Sequence, residues 1–159
     1  MKNKFNTGYE IEVKFQTLQR EELANVREMF KIPDSEKVDL NLFIQKMTEH
    51  KVDPYTISQI SENGSGHELF TEMKREGLVR VTDALQWLHT QTYGLNTIKF
   101  LAKEFEEVEI LEQVNDFFKL KVPKSGKTIG YIFGTIENAK VNLRVSEYSV
   151  SQTTLEQIF

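Results

Sequence analysis

Hydrophobic and polar positions alternate strictly near the start of the chain. In "GYEIEVKF", Tyr9, Ile11, Val13 and Phe15 are separated by Glu10, Glu12 and Lys14. A period of two is typical of a strand with one dry and one solvated face. We therefore expect the first element to be a half-buried strand.

The pattern changes to a helical period from about Thr17 to Phe105. Leu40, Phe43, Ile44 and Met47 stand at i, i+3, i+4 and i+7, the stripe that a helix turns towards a core. Local signals predict further boundaries: Asp34 or Ser35 as an N-cap, Pro54 in a first turn, Ser65 with Glu68 as a capping box, and Gly77 as a stop. The last helix of this block, residues 81–105, is predicted to be interrupted near Gly94.

The last third of the chain returns to mixed structure. "EVEILEQV" and "DFFKLKV" predict two strands joined by a turn at Asn115-Asp116. An amphipathic helix follows from Thr128 to about Asn142, with four apolar positions on one face: Ile129, Ile132, Phe133 and Ile136. "LRVSEYSV" predicts another strand, and "SQTTLEQIF" the start of a final helix, with Thr153 and Glu156 at capping-box spacing.

Taken together, the elements predict an α+β fold with the order β-α-β-β-α-β. This is the ferredoxin-like split βαβ plan, a four-stranded antiparallel sheet with two helices on one face. We expect one domain over residues 1–159, with its core formed by 1–16 and 93–159. Residues 17–92 would be a helical insertion after the first strand.

Composition narrows the classes of function. A net charge of −4 and a pI near 5.5 disfavour a nucleic-acid partner. With no Cys, disulfides and thiolate metal sites are excluded. No apolar run is long enough for a membrane span, and the polar start lacks a secretory signal, which favours an intracellular location. Phe117 beside Lys119 and Lys121 is only a weak indication of an RNA platform.

The tripeptide Gly126-Lys127-Thr128 resembles the end of a nucleotide-binding P-loop. That loop requires G-x-x-x-x-G-K-[ST], so that backbone N–H groups curl around a phosphate. The position of the first glycine holds Lys121, and Pro123 removes an amide donor. We interpret Ser125-Gly126 as a turn, with a helix starting near Lys127-Thr128.

No other residue pattern predicts chemistry. The histidines His50, His67 and His89 are scattered without a partner at ligand spacing, and we expect them at a solvated or partly packed surface. The pairs Glu21-Glu22 and Glu106-Glu107 are typical of a solvated surface. Trp87 and Tyr93 are more often core or interface anchors than ligand cages. We predict no catalytic, cofactor-binding or metal-binding residue in this chain.

The two ends of the chain resemble one known family. The start carries Lys2, Lys4, Phe5, Gly8 and Tyr9, and the end reads "YSVSQTTLEQIF", Tyr148 to Phe159. Both resemble the cytosolic regulatory domain that follows a nucleotide-binding domain in A-subfamily ATP-binding-cassette transporters. Asn6 replaces a glycine usual in the opening motif, and Ile158 replaces valine in the closing one. The resemblance covers residues 1–15 and 93–159, but not the helical block between.

This resemblance implies that the chain is a piece of a lipid-type membrane transporter, on the cytoplasmic side of the membrane. The piece would be non-catalytic and would modulate the pairing of the nucleotide-binding domains. Its partners would be those domains and other regulatory domains of the parent. ATP and Mg²⁺ would bind in the nucleotide-binding domain, so no cofactor is expected here.

Two alternatives stay open. The helical insertion is longer than a connecting loop needs to be, so it could dock another protein, although apolar stripes such as Leu40, Phe43, Ile44 and Met47 are usually the core of a small bundle. Ferredoxin-like domains also act as small-molecule sensors, but that alternative rests on fold analogy alone.

Overall fold

The alternating and helical patterns fold into six strands and six helices in a computed structural model, which describes residues 8–153. In chain order these are β1 (Gly8–Phe15), α1 (Arg20–Met29), β2 (Lys37–Asp39), α2 (Leu40–Glu49), α3 (Pro54–Ser58), α4 (His67–Glu76), β3 (Leu78–Arg80), α5 (Val81–Phe105), β4 (Glu109–Val114), β5 (Phe117–Val122), α6 (Ile129–Ala139) and β6 (Val145–Thr153). Among the described residues, no helix is both long and apolar enough to cross a membrane.

The chain divides into two compact units. One consists of Met1–Gln16 with Tyr93–Phe159, and the other of Thr17–Thr92. Each unit has a hydrophobic core of its own. We call them the sheet unit and the insertion unit.

The sheet unit is built on a four-stranded sheet in the order β4-β5-β1-β6, in which every neighbouring pair is antiparallel. On β1, Ile11 lies opposite Leu120 of β5 and Val150 of β6. These three side chains belong to one buried cluster that also contains Phe105 of α5 and Ile132 of α6. The α+β, ferredoxin-like prediction is confirmed.

Period-two alternation gives this sheet a dry face and an open face. The dry face packs against α5 and α6, and burial follows the predicted parity: Tyr9, Ile11, Val13 and Phe15 on β1, and Phe118, Leu120 and Val122 on β5. The predicted hairpin turn is also present. Asn115 adopts a φ of 52°, a left-handed conformation that Asn tolerates better than most residues.

Helix α5 is continuous, so the predicted interruption near Gly94 is wrong. Gly94 lies on the buried side of the helix, and a Cβ built there would stand 2.4 Å from Cζ of Phe118. The glycine therefore makes room for an aromatic ring that packs in the core. Glycine has a low helix propensity, but the packing of Phe118 against this position outweighs that cost to the stability of α5.

The insertion unit has an antiparallel pair of three-residue strands among its helices. Val38 of β2 lies opposite Val79 of β3, and both side chains are buried. The sequence predicted helices only, because strands this short do not reveal a period of two. The unit therefore contains two helix–strand–helix segments, α1-β2-α2 and α4-β3-α5, joined through the strand pair.

Two of the predicted caps in the insertion unit are wrong and two features are confirmed. Asp39, rather than Asp34 or Ser35, caps α2 by accepting a hydrogen bond from the Asn41 amide at 2.7 Å. The N-cap of α4 is Gly66, and the predicted Ser65–Glu68 capping box does not form. Pro54 lies in the first turn of α3, and Gly77 ends α4 with a left-handed φ of 80°.

The strand predicted as "LRVSEYSV" continues further than expected. β6 extends to Thr153, so Ser151 and Gln152 are in a strand rather than in the predicted final helix. The rest of that helix, residues 154–159, lies outside the described residues, as do Lys2, Lys4 and Phe5 of the opening motif.

Candidate functional site

The Gly-Lys-Thr segment lies between β5 and α6 and forms a turn followed by a helix cap. Ser125 and Gly126 both have left-handed φ values, 48° and 73°, and the turn is closed by the Lys127 amide, which donates to the Lys124 carbonyl at 2.9 Å. Thr128 is the N-cap of α6, and its hydroxyl accepts from the Tyr131 amide at 3.1 Å. The interpretation as a turn that starts a helix is confirmed.

Both the side-chain ammonium and the backbone carbonyl of Lys127 make contacts within the sheet unit. Its ammonium lies 4.8 Å from the ring centroid of Tyr131 and 5.8 Å from that of Phe105, in cation–π range of both. Its carbonyl accepts a hydrogen bond of 2.8 Å from the Tyr9 hydroxyl. In a P-loop the lysine reaches towards phosphate and the threonine hydroxyl towards a metal. Here the lysine ammonium lies against aromatic rings of α5 and α6, and the threonine hydroxyl caps α6.

The open face of the sheet is a mixed-charge surface. Its described side chains are Glu10, Glu12, Lys14, Glu109, Glu112, Val114, Phe117, Lys119, Lys121, Glu147, Ser149 and Ser151. Carboxylates outnumber ammonium groups in this set. Lys119 forms an ion pair of 3.4 Å with Glu10 on the neighbouring strand. These residues therefore do not form the positively charged surface that binding an RNA backbone requires.

Lys121 is the most unusual residue of this face. Its side chain is fully buried at 0% exposure, and the register places Glu10 of β1 and Glu109 of β4 on either side of it. A buried ammonium needs opposite charge nearby, and the register makes these two carboxylates its cross-strand neighbours. In the sequence, Lys121 was one of two lysines beside Phe117 that gave a weak indication of an RNA platform, and its burial does not fit such a surface.

Helix α6 is fastened to the edge strand β6 by a tyrosine. The Tyr148 hydroxyl donates to the Glu137 carboxylate at 2.5 Å, and its ring packs 5.8 Å from the ring of Phe133. The hydrogen bond to Glu137, then burial, then the charge of Glu137 raise the pKa of Tyr148 to about 12. The phenol therefore remains protonated at neutral pH and serves as a structural donor.

The other candidates from the sequence are dispersed. His50 and His67 are exposed and contact nearby backbone carbonyls, whereas His89 is buried, contrary to the expectation of a surface position. Glu21 and Glu22 lie in the first turn of α1, and Glu22 completes a capping box with Gln19. Within residues 8–153, no group of His, Asp or Glu side chains is arranged to hold a metal ion.

Trp87 packs against the core of the insertion unit, as a structural aromatic does. A Cβ at Gly66 would lie 3.1 Å from its Cζ2, so the loop before α4 passes closely over the indole. In the described part of the chain, the buried Trp87 Nε1 and Ser65 Oγ have no hydrogen-bond partner. Tyr93 packs against the core of the sheet unit.

Sequence reasoning missed the Tyr148–Glu137 contact and the pairing of β2 with β3. Both contacts join residues on different elements, and neither produces a local periodic signal. The tyrosine could have been singled out because it is the only aromatic residue in an otherwise small and polar strand, "VSEYSVSQT".

Comparison with known proteins identifies most of the sheet unit. Residues 85–152 match the family described as ABCA1-like, C-terminal R1 regulatory domain. No curated protein and no solved structure gives a significant match. The matched residues run from α5 through β4, β5 and α6 almost to the end of β6, and include three of the four strands of the sheet. Over residues 85–152, the chain is therefore similar to the ABCA1-like C-terminal R1 regulatory domains.

Proposed function

We propose that this chain is a non-catalytic regulatory domain of an A-subfamily, lipid-type ATP-binding-cassette transporter, and that it modulates the pairing of the nucleotide-binding domains. The match over residues 85–152 is the observation that carries this proposal. The domain would lie on the cytoplasmic side of the membrane, and ATP hydrolysis would take place in a separate domain of the same protein.

The contacts of the Gly-Lys-Thr segment support a role without nucleotide chemistry. The Thr128 hydroxyl caps α6, and the Lys127 ammonium lies over two aromatic rings. Binding a phosphate would require both groups to leave these contacts. Regulation would act through binding surfaces, for which the sheet unit offers the open face, two sheet edges and the outer side of α6.

The proposal is tested with the chain and the nucleotide-binding domain of its transporter as separate proteins. Isothermal titration calorimetry of Mg-ATP into the chain alone should give no saturable heat. When the chain is added to the nucleotide-binding domain, the two should form a complex, and the ATPase rate should change with a saturable dependence on the chain. Micromolar affinity of the chain for ATP, or no complex at any accessible concentration, would contradict the proposal.

The variant Lys127→Met separates binding to the nucleotide-binding domain from nucleotide chemistry. Lys127→Met removes the ammonium but keeps an apolar side chain beside Tyr131 and Phe105, so the complex and the effect on ATPase rate should persist. Loss of the ATPase effect in Lys127→Met, with complex formation retained, would instead favour a phosphate-binding role for this segment.

A further inference from the structure

Among residues 8–153, no other strand pairs with the outer edge of the long strand β6. β6 is terminal in the order β4-β5-β1-β6, and over residues 8–153 it pairs with β1 alone. Alternate backbone N–H and C=O groups of an edge strand point away from the sheet and can receive another strand. With nine residues, β6 provides an edge roughly 30 Å long.

The opposite edge of the sheet is blunted in ways that β6 is not. β4 has six residues, carries Glu109 and Glu112, and its register is interrupted between Ile110 and Glu112. Charges and bulges of this kind prevent edge strands from pairing. β6 contains no Lys and no Pro, its one charged residue is Glu147, and its pairing with β1 shifts only at its first residue.

The side chains of β6 are complementary to a second copy of themselves in one register. When two antiparallel β6 strands meet with Ser149 opposite Ser149, Tyr148 lies opposite Val150 and Glu147 lies opposite Ser151. The first is an aromatic–β-branched pair, a favourable cross-strand combination, and no like charges face each other. A slip by one residue would place dry-face side chains against open-face ones.

The surface beside this edge is apolar at Ile129 and Phe133 and charged one turn further along α6, where Glu137 and Lys140 contact Tyr148. Phe133 on α6 contacts the ring of Tyr148, so this flank of α6 borders β6. Ile129 and Phe133, one helical turn apart, are each 39% exposed. A second copy that extended the sheet across β6 would bring the same flank of its own α6 to the boundary and cover these side chains.

From these observations we propose that β6 pairs antiparallel with β6 of a second copy of this chain, in the register centred on Ser149, so that two four-stranded sheets become one continuous sheet. The interface is isologous, with the two-fold axis passing between the two Ser149 residues. This proposal does not depend on the identity of the transporter or on its nucleotide-binding domains.

Sedimentation equilibrium of the 159-residue chain tests the pairing. The wild-type chain should show a concentration-dependent monomer–dimer equilibrium. Ser149→Lys and Ser149→Glu should each weaken the dimer at least tenfold, because like charges meet at the axis. An equimolar mixture of the two variants should restore it, because opposite charges then meet. Asn138→Lys, on the exposed side of α6, adds the same charge elsewhere and should dimerise like the wild type.

Ser151→Lys provides a gain-of-affinity test that does not rely on loss of an interaction. The lysine places an ammonium opposite Glu147 of the second copy, so the dissociation constant of the variant dimer should fall below that of the wild-type dimer. A wild-type chain that remains monomeric up to about 1 mM would overturn the proposal. Undiminished dimerisation of Ser149→Lys would exclude this edge, and failure of the mixture to re-form dimers would exclude this register. Circular dichroism of each variant establishes that the fold is retained.

Discussion

At the scale of single residues, Gly94 is the position where one added methyl group should matter most. A Cβ there would meet Cζ and Cε2 of Phe118 at 2.4 and 2.7 Å. The ring cannot easily move, because Phe118 is only 2% exposed and packs edge-on against Phe15 at a centroid distance of 5.4 Å. We expect Gly94→Ala to destabilise the fold by about 1–3 kcal/mol, as overpacking does, despite the higher helix propensity of alanine. Urea unfolding followed by circular dichroism measures the change.

Gly134 provides the matched control for this substitution. It lies within α6 on the exposed side, and a Cβ there would have no neighbour within 4 Å. Gly134→Ala should therefore stabilise the chain by about 0.5–1 kcal/mol through helix propensity alone. If both substitutions changed stability in the same direction, the packing explanation for Gly94 would be wrong.

Tyr148 should give the chain an alkaline stability limit. Its pKa is raised from 10.0 to about 12, mainly by the hydrogen bond to Glu137. The folded state therefore favours the protonated phenol more than the unfolded state does. This contribution to stability is complete below pH 10 and is lost as the pH rises from 10 to about 12. An NMR titration of tyrosine ring carbons, with Tyr148→Phe to assign the signal, should show this late ionisation.

Glu137→Gln tests the cause of the shift. The substitution removes the negative charge that opposes ionisation and replaces the carboxylate with a weaker acceptor, so the pKa of Tyr148 should fall towards 10. A pKa that stays near 12 in Glu137→Gln would show that burial, and not the carboxylate, is the main cause.

At the scale of elements, α6 depends on the cap that its first residues provide. Thr128 accepts from the Tyr131 amide at 3.1 Å, and α6 contributes Ile132 and Ile136 to the core of the sheet unit. Thr128→Ala should cost about 1 kcal/mol of unfolding free energy, whereas Thr128→Ser should be nearly neutral. Both values come from urea denaturation at neutral pH. Equal losses in the two variants would assign the effect to the methyl group of threonine rather than to the cap.

The elements that could be predicted are those with a periodic signal of sufficient length. β1, β5 and α6 show clear periods of two or 3.6, and the Asn115-Asp116 turn lies between two alternating runs. β2 and β3 have three residues each, which is too short for any period to emerge. The continuity of α5 across Gly94 could not be predicted, because it depends on where the ring of Phe118 lies in space.

The side-chain contacts were less predictable than the elements. The turn at Ser125-Gly126 and the helix start at Thr128 follow from local preferences of glycine and threonine. The buried position of Lys121 requires the strand register, since Glu10 and Glu109 come next to it only through pairing across the sheet. Register is a tertiary property, and no spacing within one strand encodes it.

At the scale of the whole molecule, the two units have separate cores. The buried cluster of the sheet unit draws on β1, β5, β6, α6 and the second half of α5, whereas that of the insertion unit lies within residues 30–88. We propose that the insertion is a separable part of the domain, with the ferredoxin-like core formed by residues 1–16 and 93–159. Docking of another protein by the insertion stays a prediction. The exposed apolar side chains Met29, Tyr55 and Leu78 of the insertion unit lie on three different elements.

Replacing residues 17–92 with a short Gly-Ser linker should therefore leave a folded sheet unit. All four strands, α6 and the part of α5 that carries Leu101 and Phe105 remain in this variant, and with them the whole buried cluster. A flexible linker adds little loop-closure entropy compared with the burial that the cluster retains. We expect dispersed amide resonances, a β-rich circular dichroism spectrum and one cooperative urea transition.

Leu101→Ala within the shortened chain provides the control for this prediction. Leu101 is 1% exposed in the sheet-unit core, so its truncation should lower the unfolding free energy by about 2–5 kcal/mol, provided that the core is intact. A shortened chain with a broad transition that Leu101→Ala does not move would lack a specific core. That result would mean that residues 17–92 are needed to complete the fold, and the separation into core and insertion would have to be abandoned. A sharp transition that Leu101→Ala shifts to lower urea would instead establish the sheet unit as an autonomous fold into which the helical segment has been inserted.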